Sequence, residues 1–236
     1  MVDRPMLFSA PMVVALLEGR KTQTRRIIKL PTKGEYFRKD MGGWASTTSG
    51  GGGCFTIARD GSHIPAPEEI AIWNQTTGTC IVMPYQIGDN LWVRERFAFT
   101  NKERTEVGYI AESTARDYEI KDAGYKLRPS IHMPRVHSRL TLTVIEVRVQ
   151  RLQDISEEDA QAEGMGDPYL GDGDPPWEEQ ATWIRRRQQF RNLWNSLHGP
   201  SAWQENPWIV ALTFTVRKGN IDAVRCEPKE EKTLDE

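Results

Sequence analysis

Leu16-Leu17-Glu18-Gly19-Arg20-Lys21-Thr22-Gln23-Thr24-Arg25-Arg26 closes one structural element and opens another. Upstream, Ser9 is placed to cap a helix, and Pro11 falls in its first turn, where a missing N–H costs nothing. Val13, Leu16 and Leu17 recur at helical spacing and predict a buried stripe. Gly19 is suited to the left-handed conformation that ends such a helix. Lys21 and Thr24 are therefore expected just beyond a packed helix, on a turn leading into an extended segment. Side chains alternate along a strand, so Thr22 and Thr24 are expected on one face. From Gly19 to Arg26 the chain carries one amine, two hydroxyls and three guanidinium groups. Such a cluster suits an anion-binding turn or a reaction centre. A solvated basic surface loop is the plain alternative.

Strand signals dominate the regions beyond. Leu91 to Phe97 reads as one strand. Leu140, Leu142 and Val144 alternate, as do Ile145, Val147 and Val149, and the change of parity between 144 and 145 predicts a bulge or bend. Trp208, Val210, Leu212, Phe214 and Val216 alternate in a last strand. Two helices are also expected. One follows Ser156 as N-cap, with Ile155 and Ala160 as a weak hydrophobic staple and Gly164 as terminator; it puts Glu163 in the last turn, against the negative end of the helix dipole. The other carries Phe190, Leu193, Trp194 and Leu197 on one stripe and ends at Gly199-Pro200. Strands that bend, with short helices between them, suit a small, partly open β-barrel of the α+β class, with short flanking helices and long inserted loops.

Four blocks carry a family resemblance. They are Leu16 to Arg25; Gln86-Ile87-Gly88-Asp89-Asn90-Leu91-Trp92-Val93-Arg94-Glu95; Leu152 to Gly164; and Asn206-Pro207-Trp208-Ile209-Val210-Ala211-Leu212-Thr213-Phe214. In this order they resemble the ASCH-domain family, whose fold is PUA-like, and most of all its longer bacteriophage and prophage members. The resemblance implies one domain over residues 1–219. It also implies recognition of RNA or a modified nucleoside. Short ASCH proteins include amidohydrolases that release the acyl group from N(4)-acetylcytidine, and their catalytic residues align with Lys21, Thr24 and Glu163. In that chemistry a base frees the Thr hydroxyl for attack. A lysine is that base only where burial or a neighbouring cation lowers its pKa. Glu163 orients the lysine or passes a proton to the leaving amine. Arg20, Thr22, Arg25, Arg26, Trp92 and Arg139 are the candidate substrate-binding residues. A non-catalytic RNA-binding module of a phage and a ribonuclease are the alternatives, the latter using Lys21 and the arginines on phosphate.

The chain has 236 residues and a net charge of −2, so its basic residues form local patches and not a uniformly cationic surface. Cys54, Cys80 and Cys226 are scattered without a CxxC pair, which points to a reducing, cytoplasmic setting and away from a disulfide scaffold. No segment reads as a signal peptide or membrane span. No cofactor is implied. The spacing of His132 and His137 fits no metal site, and the oligomeric state is not readable. Inserts are expected near residues 31–80, 101–134 and 166–176. The first holds Gly50 to Gly53, which lack the lysine of a phosphate-binding loop and read as linker. Trp44 and Trp73 in that insert are candidates for an exposed lid that stacks on a base. The acidic stretch 220–236 is expected to be disordered.

Overall fold

The computed structural model describes residues 2–31, 43–51, 55–57, 59–111, 123–166 and 179–224. It is an α+β protein, built mostly of strands in several sheets with few, mainly short helices. No closed barrel is seen among the described residues. Nor is any helix there long and apolar enough to cross a membrane. The chain divides into two compact units. Unit 1 comprises 1–22, 88–143 and 214–236; unit 2 comprises 23–87 and 144–213.

In unit 1, strand β1 (Asp3–Leu7) runs parallel to β8 (Asn90–Arg94), with Pro5 opposite Trp92. The opening residues of β12 (Leu140–Arg151) pair antiparallel with β8, Thr141 opposite Trp92 and Thr143 opposite Asn90. Helix α1 (Ala10–Leu17) buries Val13, Ala15 and Leu16, as its spacing predicts. Ser9 is its N-cap by backbone conformation, without a side-chain hydrogen bond, and Gly19 takes φ +75° just past its end. A second small sheet joins β9 (Phe97–Phe99) to β10 (Val107–Tyr109) and β11 (Leu127–Arg128). β10 and β11 lie in the region expected to be an insert near 101–134.

The described chain continues to residue 224. A four-residue helix, Ile221–Val224, fully buries Ile221. Asn220 donates from Nδ2 to the carbonyls of Arg135, Val136 and Ser138 at 2.8, 3.1 and 2.9 Å. The rest of the acidic tail, 225–236, lies outside the described residues, as do Cys54, Cys226 and most of the expected 166–176 insert.

In unit 2, β2 (Gln23–Ile27) pairs antiparallel with the first half of β13 (Trp208–Lys218), from Ile209 opposite Ile27 to Thr213 opposite Gln23. Two helices pack their apolar residues into one cluster with this pair. They are α2 (Glu157–Ala162) and α3 (Glu179–His198), and the cluster holds Leu152, Ile155, Ala160, Phe190, Trp194, Trp203, Ile209 and Ala211. Trp194 is therefore core, but Leu197, on the same predicted stripe, is exposed. In β12, Leu142, Val144, Val147 and Val149 are buried while Ile145 and Glu146 both face solvent. The predicted change of parity is present, one residue broader than expected.

The first insert carries its own strands, and of its glycine run Gly52 and Gly53 lie outside the described residues. Residues 44–82 contain β3 (Trp44–Ser49), β6 (Glu69–Asn74) and β7 (Cys80–Val82) as an antiparallel sheet, and β4 (Phe55–Ile57) with β5 (His63–Pro65) as a hairpin. Ala71 and Ile72 are completely buried, so the sheet packs on both faces at its centre. Trp73 is 39% exposed and Trp44 half-buried. Gly50 is a close-approach residue: its φ is +82°, and a Cβ there would penetrate the carbonyl oxygen of Pro67. Gly50→Ala is accordingly expected to lower the unfolding free energy by about 1–3 kcal/mol, measurable as a drop in the urea midpoint at unchanged slope.

A candidate site around a buried ionic cluster

Strand β2 is buried at three successive positions: Gln23 at 8%, Thr24 at 1% and Arg25 at 3% exposure. Both faces of the strand are thus covered, an unusual setting for a charged side chain. Arg25 is neutralised by α2. Its Nη2 donates to Asp159 Oδ2 at 2.7 Å and its Nη1 to Glu163 Oε1 at 3.1 Å. The same Nη1 reaches Gln23 Oε1 at 3.2 Å, and the guanidinium lies 5.8 Å from the Phe190 ring centre. Its Nε is buried without a hydrogen-bond partner.

Helix α2 presents these carboxylates by simple geometry. Ser156 accepts the Asp159 N–H at 3.0 Å and fixes the first turn. Asp159 and Glu163 are four residues apart and therefore share a helix face. Glu163 is the C-cap, its N–H bonded to Asp159 O at 2.9 Å, and Gly164 at φ +92° ends the helix. Arg148, on β12, reaches the other oxygen of Asp159 at 2.9 Å and Glu146 at 3.5 Å.

Burial alone would push the Asp159 carboxyl up. The hydrogen bond from Arg148 and the charges of Arg25 and Arg148 outweigh it, and the carboxyl titrates below its ordinary range. A carboxylate so depressed adds stability that is present above its unfolded pKa of about 3.9 and is lost as pH falls through the folded value. Stability is thus expected to fall as pH drops below about 4. An Asp159→Asn variant, less stable at neutral pH, is expected to show a shallower loss in urea titrations across that range. Burial also lowers the pKa of Arg26, against the opposing effects of Glu163 and Tyr85. His198, whose ring stacks 4.3 Å from that of Trp194, is likewise pushed down by burial and by the charge of Arg26.

The remaining expected site residues fall as follows. In unit 1, Lys21 is completely buried; its N–H bonds Ala15 O at 3.0 Å and its Nζ sits 5.9 Å from the Phe8 ring centre. Thr22 is exposed while Thr24 is buried, so the two do not share a face; the strand begins only at Gln23. Arg20 is exposed and pairs with Glu18, its Nε 2.7 Å from Oε2. Trp92 is 8% exposed, a core residue of the β1–β8 pairing with the Arg94 guanidinium 5.2 Å from its ring. Arg139 makes a bidentate pair with the buried Glu95, at 2.8 and 2.9 Å, and lies 4.1 Å from the Tyr109 ring centre. In unit 2, the Arg25 side chain has no accessible surface, so it acts on a ligand only through the carboxylates it holds.

Asp159, Arg148, Gln23 and Glu95 are not singled out in the sequence reading. The four-residue spacing to Glu163 is a signal for Asp159 alone; nothing local marks Arg148, Gln23 or Glu95. No family model, curated protein or solved structure matches the chain.

Proposed function

We propose that this chain is an ASCH-type protein of PUA-like fold that recognises a nucleobase and hydrolyses the acyl amide of an N(4)-acylated cytidine. One observation carries the reading. Sequence blocks far apart in the chain, each chosen for its resemblance, meet inside unit 2: β2 lies along β13, and Arg25 reaches Glu163 across 138 residues. A carboxylate held this way by a guanidinium has a fixed orientation and accepts hydrogen bonds in a defined direction.

The roles follow the resemblance. The resemblance assigns Thr24 the attacking hydroxyl, Lys21 the base that takes its proton, and Glu163 the group that returns a proton to the departing cytosine amine. The C–N bond breaks, an acyl ester of Thr24 forms, and water hydrolyses it to release the acid. The test is chromatographic: purified protein is incubated with N(4)-acetylcytidine, and release of cytidine is compared with that from Lys21→Ala. Turnover by the wild type alone supports the reading. No turnover at high enzyme concentration removes it and leaves RNA binding or cleavage to be assayed.

A further inference from the structure

Unit 2 contains a second concave feature. An open groove of about 440 Å³ is lined by Ser46, Thr47 and Thr48 of β3, Ile70 of β6, and Val147, Arg148, Val149 and Gln150 of β12. Neighbouring residues of a strand point to opposite faces. A wall made of three or four consecutive residues is therefore the edge of a strand, not a face. Both long walls have this character. β3 is the edge strand of its sheet, hydrogen-bonded to β6 on one side. β12 is an inner strand, hydrogen-bonded to β13 on one side; on the other it pairs with β8 as far as Thr143, so only the β8-side edge of Val147–Gln150 lies beyond that pairing.

We infer that this groove binds an extended, uncharged polypeptide segment of a partner protein, which pairs through its main chain with the open edge of β3 and with the β8-side edge of β12 beyond Thr143. Open strand edges are templates for exactly such backbone pairing, and strand addition is an established recognition mode. Charge favours a peptide over a nucleic-acid strand. The single charged residue lining the groove, Arg148, is already committed to Asp159 and Glu146, and phosphate binding relies on uncommitted cations. The other polar liners are hydroxyls and one carboxamide. Gln150 Nε2 is buried and lacks an acceptor, which a peptide carbonyl would supply. Val147 and Val149 are nearly buried and leave small apolar seats between the polar ones.

The probe is a capped hexapeptide of alternating threonine and valine, added at about 1 mM, a concentration suited to weak peptide binding. Amide hydrogen exchange of the full chain is the readout. Exchange is expected to slow by about tenfold at both Ser46–Thr48 and Val147–Gln150. The same peptide N-methylated at alternate amides is expected to protect neither segment, and Gln150→Leu to weaken the effect while the free protein keeps its urea midpoint. Three results would overturn the inference: no protection by the peptide, equal protection by the N-methylated analogue, or protection by a deoxythymidylate octamer and not by the peptide.

Discussion

Replacing Arg25 by methionine is expected to destabilise the protein by about 3–5 kcal/mol, the usual cost of removing one partner from a buried ion pair. The guanidinium has no accessible surface, and Glu163 is 3% exposed. Without Arg25, Glu163 loses the guanidinium hydrogen-bonded to it inside the protein, and Asp159 keeps Arg148 and the neutral Gln23. Typical domains are stable by only about 5–15 kcal/mol, so the variant is expected to be partly unfolded at 37 °C or to melt well below the wild type. A buried ion pair need not stabilise relative to a neutral replacement. The triple variant Arg25→Met, Asp159→Asn, Glu163→Gln is therefore expected to recover much of the loss. Urea unfolding of the two variants checks both statements. A loss below about 1 kcal/mol for Arg25→Met would place this pair with solvent-screened surface bridges and overturn the account of the cluster.

The second large effect concerns Lys21 and rests on the proposed hydrolase activity. Lys21→Ala is expected to reduce kcat/KM on N(4)-acetylcytidine by about 100- to 10,000-fold, the range for losing a general base. The loss is expected in kcat with KM little changed, since a group needed only in the transition state has that signature. Alanine leaves a cavity at a completely buried position, so Lys21→Met is the companion variant: it keeps most of the volume and removes the amine. If Lys21→Met folds and keeps activity within a factor of about three, proton transfer does not pass through Lys21. Thr24→Val, similar in shape at a position only 1% exposed, is expected to lose activity as completely, and any retained turnover would point to direct attack by water.

Local signals in the sequence were sufficient for the elements that frame this cluster. Ser9, the Val13–Leu16 spacing and Gly19 define α1, and Ser156, Ala160 and Gly164 define α2. Alternation locates β12 and β13 and even the irregularity near Ile145. These are properties of residues within one or two turns of each other, which periodicity and capping report directly. The insert was harder to read because its glycines and hydroxyl residues are typical of linkers, while its sheet depends on pairing between segments about 25 residues apart in β3 and β6.

The identity of the charged partners was a tertiary matter. By sequence, Arg25 is one of several cations in a basic turn and Glu163 a carboxylate at the wrong end of a helix dipole. Folding brings the two together across 138 residues of chain and removes both from water. Coulomb attraction between them is weak in solvent and strong when buried, so what they do depends on a burial that no local pattern encodes. Local patterns suffice for the helices, the main strands and the chemical types at hand. The tertiary structure decided that Arg25 is an internal counter-ion, that Thr24 is buried while Thr22 is exposed, and that Asp159 belongs with Glu163, because long-range packing sets which charges lose their water.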